Sequence, residues 1–302
     1  MSDFSASDIP KGNWVERMLP ATARPYARMA RFDRPIGTWL LLFPCWWSLA
    51  LAAGGWPELQ LIALFGIGAM VMRGVGCIFN DITDRDFDGS VARTRDRPIP
   101  SGAVSTLQAV IYMGSLSLIG LVILLQFNQF AIVLGAASTV LIAIYPFMKR
   151  FTYWPQFFLG LAFNWGGLLG WAVVRGNLEM PAYLLYVAGI FWTLGYDTIY
   201  AHQDKEDDAL VGIRSLALKL GKRTRPYLYL FYAATIFMTA ACGWTAELSW
   251  PFYVLLATGA LQLAWQARNI NLDDPADCLA KFKSNRLFGW LLLAAFVSGG
   301  LV

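Results

Sequence analysis

Two stretches of this chain put acids where acids are costly. Residues 80–102 read NDITDRDFDGSVARTRDRPIPSG and follow an apolar run long enough to cross a bilayer. Asp81, Asp84 and Asp88 stand at i, i+3 and i+7, so a helix carries them on one face with Asn80 at its edge. Carboxylates at the end of a membrane helix are unfavourable unless a cation compensates them. Two unit charges about 8 Å apart repel by roughly 2 kcal/mol at an effective dielectric near 20. Such a cluster invites a divalent metal, and hard oxygen donors with no His or Cys beside them favour magnesium or calcium over zinc. The second stretch, GYDTIYAHQDKEDD, repeats the pattern: Asp197, Ala201, Asp204 and Asp208 step by 4, 3 and 4 along one expected helical face. Two acid-rich helix ends are suited to hold a diphosphate through metal ions that neutralise charge on a leaving group. Arg93, Arg95, Arg97, Lys149 and Arg150 stand beside them in the sequence as direct phosphate contacts. The plainer alternative is acids and bases pairing in solvated loops. Six Asp residues at helical spacing in two separate stretches disfavour it.

The elements that must carry these acids are membrane helices. Hydrophobic residues make up 57% of the chain and charged residues only 15%, against about 25% charged in a soluble domain. Apolar segments of spanning length recur near 36–53, 60–79, 104–125, 129–146, 155–174, 182–201, 226–243, 249–266 and 286–302. The expected fold is all-α: a polytopic membrane protein with nine transmembrane helices. Basic residues gather in alternate connections. They are Lys11, Arg17, Arg24, Arg28, Arg31 and Arg34 before the first span, then Arg85 to Arg97, Lys149–Arg150, Lys205 to Arg225, and Arg268 to Arg286. The opposite connections offer only Arg175. The positive-inside rule then puts the N-terminus in the cytoplasm and the C-terminus across the membrane, which requires an odd number of spans. Both acidic stretches fall on the cytoplasmic side.

Residues 1–33 read as a cytoplasmic basic segment, either an amphipathic helix on an anionic leaflet or a partly disordered tail. They contain no apolar core of a signal peptide, so none is expected. Cys45, Cys77, Cys242 and Cys278 have no paired spacing and read as small buried residues. No nucleic-acid partner is expected.

The motifs resemble those of the UbiA superfamily of membrane prenyltransferases, and within it the branch that acts on 4-hydroxybenzoate. The NDxxDxxxD motif of that family is met by Asn80, Asp81, Asp84 and Asp88, and its second motif by YDTxYAxxDxxDD from Tyr196 to Asp208. RFDRPIGTWLLLFPCWW, RGVGCIFND, RTRDRPIPSG, YPFMKR and GIRSLALKLG add to the match, which covers nearly the whole chain. The resemblance implies a UbiA-like helical bundle with a cytoplasmic-face active site in residues 34–302, in a bacterial inner membrane. It implies Mg2+ held by Asp81, Asp84 and Asp88 on one side and by Asp204 and Asp208 on the other. Asp197 either joins them or orients the aromatic substrate. The substrates it implies are a polyprenyl diphosphate from the lipid phase and 4-hydroxybenzoate, with the product on the ubiquinone route.

The residues suit that chemistry. Tyr145, Tyr196 and Tyr200 lie near cytoplasmic span ends, where their ring faces can stabilise an allylic cation. Arg73, two helical turns before Asn80, is a candidate for the carboxylate of the aromatic acid or a partner for an aspartate. Arg34 is a second candidate, or snorkels to lipid phosphate. Asn164, within FNWGG, hydrogen-bonds either substrate or another helix. His202 reads as a polar loop-edge residue. Three rivals remain. Asp88-Gly89, Ala92-Arg93 and Gly102 overlap a CDP-alcohol phosphotransferase motif, which fails at Arg85, Thr106 and Val110. A cation-coupled transporter would place its acids near the bilayer midplane instead of at span ends. A UbiA-type enzyme with another aromatic acceptor is the third.

Overall fold

Long apolar runs with short polar connections dictate helices, and the chain forms them. The computed structural model describes residue 9 and residues 12–89, 94–210 and 212–301; Lys11 and Arg93 lie outside the described residues. In chain order the helices are α1 (Trp14–Met18), α2 (Arg24–Met29), α3 (Ile36–Ala53), α4 (Leu59–Thr83), α5 (Arg85–Asp88), α6 (Thr106–Leu124), α7 (Gln129–Phe151) and α8 (Pro155–Phe163). There follow α9 (Trp165–Arg175), α10 (Met180–Ala201), α11 (Lys205–Leu210), α12 (Leu216–Leu220), α13 (Thr224–Thr245), α14 (Trp250–Asn269) and α15 (Pro275–Leu301). Among the described residues there is no strand.

Among the described residues six segments are long and apolar enough to cross a membrane: Ile36–Ala53, Leu59–Thr83, Thr106–Leu124, Gln129–Phe151, Pro155–Arg175 and Leu216–Thr245. The other three expected spans coincide with α10, α14 and α15, helices of 22, 20 and 27 residues that are richer in aromatic and polar side chains. This is a multi-helix membrane protein.

The chain divides into two units. The first comprises residues 1–38 and 66–126, the second residues 39–65 and 127–302. In the first unit Met29 and Ala30 pack with Val71, Val75, Ile78, Ile99, Val104, Ala109 and Leu116. The N-terminal segment is part of this packing from Asn13 onward. Asn13 caps α1, Val15 is fully buried, and Glu16 pairs with Arg28 of α2 at 2.7 Å. Ser105 and Gln108 form a capping box at the start of α6, satisfying backbone donors that would otherwise be orphaned. Leu107, Ile111, Leu118 and Val122 of the same helix are exposed, as a lipid-facing helix requires.

In the second unit α10 is the enclosed element and packs on α13, α8, α15 and α9. Its approach to α13 depends on Gly195, where a Cβ would come within 2.2 Å of the Tyr232 ring; small residues let membrane helices close in this way. Asn128 caps α7 through Ala131 N and donates to Ala172 O and Val173 O, tying α7 to the end of α9. The expected span 155–174 is two helices, broken at Asn164 (φ −93°, ψ 1°).

Candidate active site

The first acid cluster belongs to the first unit. Asp81 lies in the last turns of α4, Asp84 immediately before α5, and Asp88 is the fourth residue of α5. The expected single helical face is therefore interrupted at Asp84, whose backbone leaves the helical region (φ −102°, ψ 3°). Asp84 N still bonds Asn80 O at 2.9 Å, and Asp88 N bonds Asp84 O at 2.8 Å, so the four-residue spacing survives the break. The second motif has the same local layout. Asp197 is on α10, Asp204 stands immediately before α11, and Asp208 is the fourth residue of α11, with Asp208 N bonded to Asp204 O at 2.8 Å. Here too the continuous face predicted from the sequence is broken. α10 closes with His202 N on Ile199 O and Gln203 N on Tyr200 O, three-residue bonds that tighten the last turn.

Asp81, Asp84 and Asp88 are all buried. Arg31 Nη2 donates to Asp81 Oδ1 at 2.6 Å, and Arg97 Nη1 donates to Asp88 Oδ2 at 2.8 Å and to Asp81 Oδ1 at 3.3 Å. Burial pushes the Asp88 carboxyl up, against the pull of Arg97 and with the repulsion of Asp81 and Asp84. Arg97 is held in place through Thr94, whose hydroxyl donates to Asp88 O at 2.8 Å and whose carbonyl accepts Arg97 N at 2.9 Å. Asp81 Oδ2 is buried with no hydrogen-bond partner among the described residues. Among those residues no three His, Cys, Asp or Glu side chains converge as a metal-binding group. The donor set nonetheless fits a hard divalent cation. It offers carboxylate oxygens only, with one buried oxygen uncommitted and arginines acting as counter-charges on the others.

Arg31 was not singled out by its spacing, and its conformation is what draws attention to it. α2 ends in a Schellman motif, with Phe32 N on Ala27 O at 3.0 Å and Arg31 N on Arg28 O at 3.1 Å. Arg31 occupies the left-handed position (φ 60°) that glycine normally takes. A non-glycine residue held there costs on the order of 1–2 kcal/mol. In return the guanidinium reaches Asp81 while also donating to Arg28 O and Met29 O. Trp14 Nε1 fixes the next peptide by donating to Phe32 O at 3.0 Å. An arginine close before the first span is the only sequence signal of this role.

The other predicted residues fall as follows. Arg73 lies against the backbone at Gly37, where a Cβ would be 2.6 Å from Nε. Arg34 sits 3.6 Å from Asp33, a buried carboxylate, and is itself largely covered. Asn80 is half-buried, its carbonyl accepting from Thr83 Oγ1 as well as from Asp84 N. In the second unit Tyr145 is half-buried one turn before Lys149, and Arg150 stacks over Phe147. The segment following α11 is tied to this end of α7: Arg214 N bonds Lys149 O at 2.9 Å and Arg214 Nη1 bonds Phe151 O at 2.7 Å. The end of α7 that carries Lys149 and Arg150 is thereby tied to the segment that follows the second motif. Tyr196 is buried against Trp192 and Phe282, and Tyr200 packs on Phe282 with centroids 4.6 Å apart and ring planes tilted by 46°. The amide nitrogen of Asn164 donates to Gly160 O and Thr193 Oγ1, linking α8 to α10. His202 stands at the loop edge as expected, being the C-cap of α10, but not in solvent. It is buried, Nε2 lies 2.9 Å from Thr224 Oγ1, and burial pulls its pKa down to about 4.

The fold is that of the UbiA homologs. The chain matches the apo structure of a UbiA homolog from Aeropyrum pernix with a TM-score of 0.73 at 23% identity, over 86% of this chain and 96% of that one. It matches a UbiA homolog from Archaeoglobus fulgidus bound to GPP and Mg2+ with a TM-score of 0.70 at 18% identity, over 92% and 100% of the two chains. A model of the UbiA prenyltransferase family matches residues 41–293. A protein of Arabidopsis thaliana named 4-hydroxybenzoate polyprenyltransferase, mitochondrial, is 49% identical over 96% of this chain and 72% of its own length. A protein of that name from Aedes aegypti is 50% identical over 100% of this chain and 69% of its own length. This chain belongs to the UbiA prenyltransferase family. Since these relatives are named as mitochondrial, they give no support to the expected location in a bacterial inner membrane.

Proposed function

We propose that the protein transfers a polyprenyl group from polyprenyl diphosphate to the ring carbon ortho to the hydroxyl of 4-hydroxybenzoate, a step of ubiquinone biosynthesis. The observation that carries this reading is the trio of buried carboxylates from the end of α4 to α5, with Asp81 and Asp88 held by Arg31 and Arg97, in a chain of this family. The relatives named for this acceptor support its identity, and the matched structure bound to GPP and Mg2+ supports the donor class and the metal.

In this reading Asp81, Asp84 and Asp88 hold one Mg2+, and Asp204 and Asp208 hold another, with Asp197 beside them. Bound there, Mg2+ supplies charge neutralisation on the diphosphate oxygens. Arg31, Arg97, Lys149 and Arg150 bind the diphosphate directly, Arg31 and Arg97 by exchanging a carboxylate for a phosphate partner. The allylic carbon–oxygen bond breaks and diphosphate departs. The ring carbon then bonds to the allylic carbon and loses its proton. Tyr145, Tyr196 and Tyr200 present ring faces to the cation, and the apolar surroundings exclude water from it. Arg73 holds the carboxylate of the acceptor, with Arg34 as the alternative, while Asn80 and Asn164 support substrate and motif. The full topology in this reading has nine crossings, with α10, α14 and α15 joining the six apolar segments. The N-terminus and both acid clusters face the cytoplasmic or equivalent compartment, on the distribution of Lys and Arg.

The test is prenyl transfer by purified protein in lipid, with a polyprenyl diphosphate, Mg2+ and 4-hydroxybenzoate. Product is identified by mass, with EDTA and Asp84→Asn as controls. Metal-dependent 3-polyprenyl-4-hydroxybenzoate supports the reading. Product only with another aromatic acceptor overturns the acceptor, and no diphosphate release with any acceptor overturns the enzyme.

A further inference from the structure

The end of α7 is closed by a residue from a distant part of the chain. An α-helix leaves its last carbonyls without partners inside the helix. Arg214 takes two of those of α7: its amide donates to Lys149 O at 2.9 Å, and its Nη1 donates to Phe151 O at 2.7 Å. The guanidinium also lies over the Tyr153 ring, 5.5 Å from its centroid. A cation at a helix C-terminus is favoured by the helix dipole as well as by these bonds. One exposed side chain therefore holds both the end of α7 and the ring two residues beyond it.

The other end of this link is the second acid motif. α11 closes in a Schellman motif, with Ile213 N on Asp208 O at 2.9 Å and Gly212 N on Ala209 O at 3.4 Å. Gly212 takes the left-handed position (φ 74°), and a Cβ there would meet nothing within 4 Å. Asp208 is thus bonded through its own carbonyl to the residue immediately before Arg214. The chain beyond Arg214 is held as closely. Ser215 is buried and its hydroxyl caps α12 by accepting from Leu218 N. Leu216 N donates at 3.2 Å to Gln156 Oε1, a buried amide at the start of α8. Lys219 of α12 lies over the Trp154 ring, 5.2 Å from its centroid. Tyr153 and Trp154, in the connection between α7 and α8, each carry a cation from this one segment.

We propose that Arg214 is a positioning residue for the second acid motif. It latches the end of α11, which carries Asp208, to the end of α7, which carries Lys149 and Arg150, so that acids and bases meet one diphosphate at a set spacing. The inference rests on the function proposed above, in which Asp204 and Asp208 hold Mg2+ and Lys149 and Arg150 bind the diphosphate. Arg214 itself touches neither metal nor substrate and acts through the peptides it fixes.

The experiment reads prenyl transfer in lipid and, separately, amide exchange in EDTA. Arg214→Ala is expected to raise the Mg2+ concentration for half-maximal transfer and the prenyl diphosphate KM about tenfold each, the equivalent of one hydrogen bond from a charged donor, with the acceptor KM unchanged. In the metal-free protein it is expected to speed amide exchange of residues 212–214 about tenfold, because their bonds open together. Gly212→Ala strains the turn without meeting a neighbour and is expected to shift the same two constants about fivefold. Tyr153→Leu removes the ring under the guanidinium and is expected to shift them about threefold. Combined with Arg214→Ala it is expected to add nothing, because the guanidinium it supports is gone. Faster exchange with both constants unchanged makes Arg214 a loop anchor only and overturns the proposal. Unaltered exchange, or an equal rise in the acceptor KM, overturns it as well. Constants shifted by Arg214→Ala alone, with Gly212→Ala and Tyr153→Leu like wild type, make Arg214 a direct phosphate ligand and also overturn it. Each of these outcomes leaves the prenyltransferase reading intact, whereas a wild-type protein without prenyl transfer sinks that reading and this proposal together. Arg214→Met is the second variant should alanine fail to fold, with melting in detergent as the control.

Discussion

Replacing Arg31 separates a backbone cost from an electrostatic gain at the acid cluster. The residue adopts φ 60° at the end of α2 and pairs with Asp81 at 2.6 Å, both side chains being nearly buried. Breaking a buried ion pair by removing one partner costs roughly 3–5 kcal/mol. The low end applies, because Arg97 Nη1 remains 3.3 Å from the same oxygen. Arg31→Ala loses the pair and keeps the left-handed strain, so it should be destabilised by about 3 kcal/mol. Arg31→Gly loses the same pair but relieves about 1 kcal/mol of strain, so its deficit should be about 2 kcal/mol. Prenyl transfer should fall alike in both, since it depends on the guanidinium. Unfolding in detergent with identical lipid and scan rate, beside initial transfer rates, reads the two effects separately. An alanine variant as stable as the glycine variant, or a glycine variant with wild-type activity, refutes the argument.

Other sites give sharper single outcomes. Arg73→Ala should raise the KM for the aromatic acid while leaving that for prenyl diphosphate unchanged, as loss of a ground-state contact does; an unchanged acceptor KM removes Arg73 from that role. Gly195→Ala places a methyl group against the Tyr232 ring and should cost about 1–3 kcal/mol in unfolding assays, with no loss if the α10–α13 contact is loose. His202 is held neutral, its pKa lowered to about 4 from 6.5. The unfolded chain therefore takes up a proton between pH 6.5 and about 4 that the folded protein refuses, so stability is complete above that window and falls as pH drops through it. His202→Gln should flatten that part of the stability–pH curve, and an unaltered slope assigns the effect to other groups.

The periodicities read from the sequence find the helices better than their ends. Segment 60–79 is the centre of Leu59–Thr83 and segment 226–243 the centre of Thr224–Thr245, because long apolar runs leave the backbone no other way to satisfy its polar groups. The breaks at Asp84, Asn164 and His202 were not legible. No proline marks them, and each is decided by bonds with neighbouring residues or with another helix. The acid clusters were legible because carboxylates stand out against apolar sequence. Their counter-charges were only half so. Arg97 lies inside the motif, whereas Arg31 is separated from Asp81 by fifty residues and identified by a dihedral angle. The local likeness of the two motifs, each a long helix followed by a short one with Asp at its fourth position, extends the weak internal repeat seen in the spacing.

The break at Asn164 has a consequence for biogenesis. Residues 155–175 form one segment apolar enough to enter the bilayer as a single span, yet they end as two helices. The bond that fixes the Asn164 amide to α10 reaches Thr193, 29 residues further along the chain. The segment can therefore enter the bilayer before α10 lies beside it, with the Asn164 amide confined to its own helix. The bend is completed only when α10 arrives beside it, so insertion and final shape are separate events, and a truncation after residue 175 should insert normally while lacking the mature geometry.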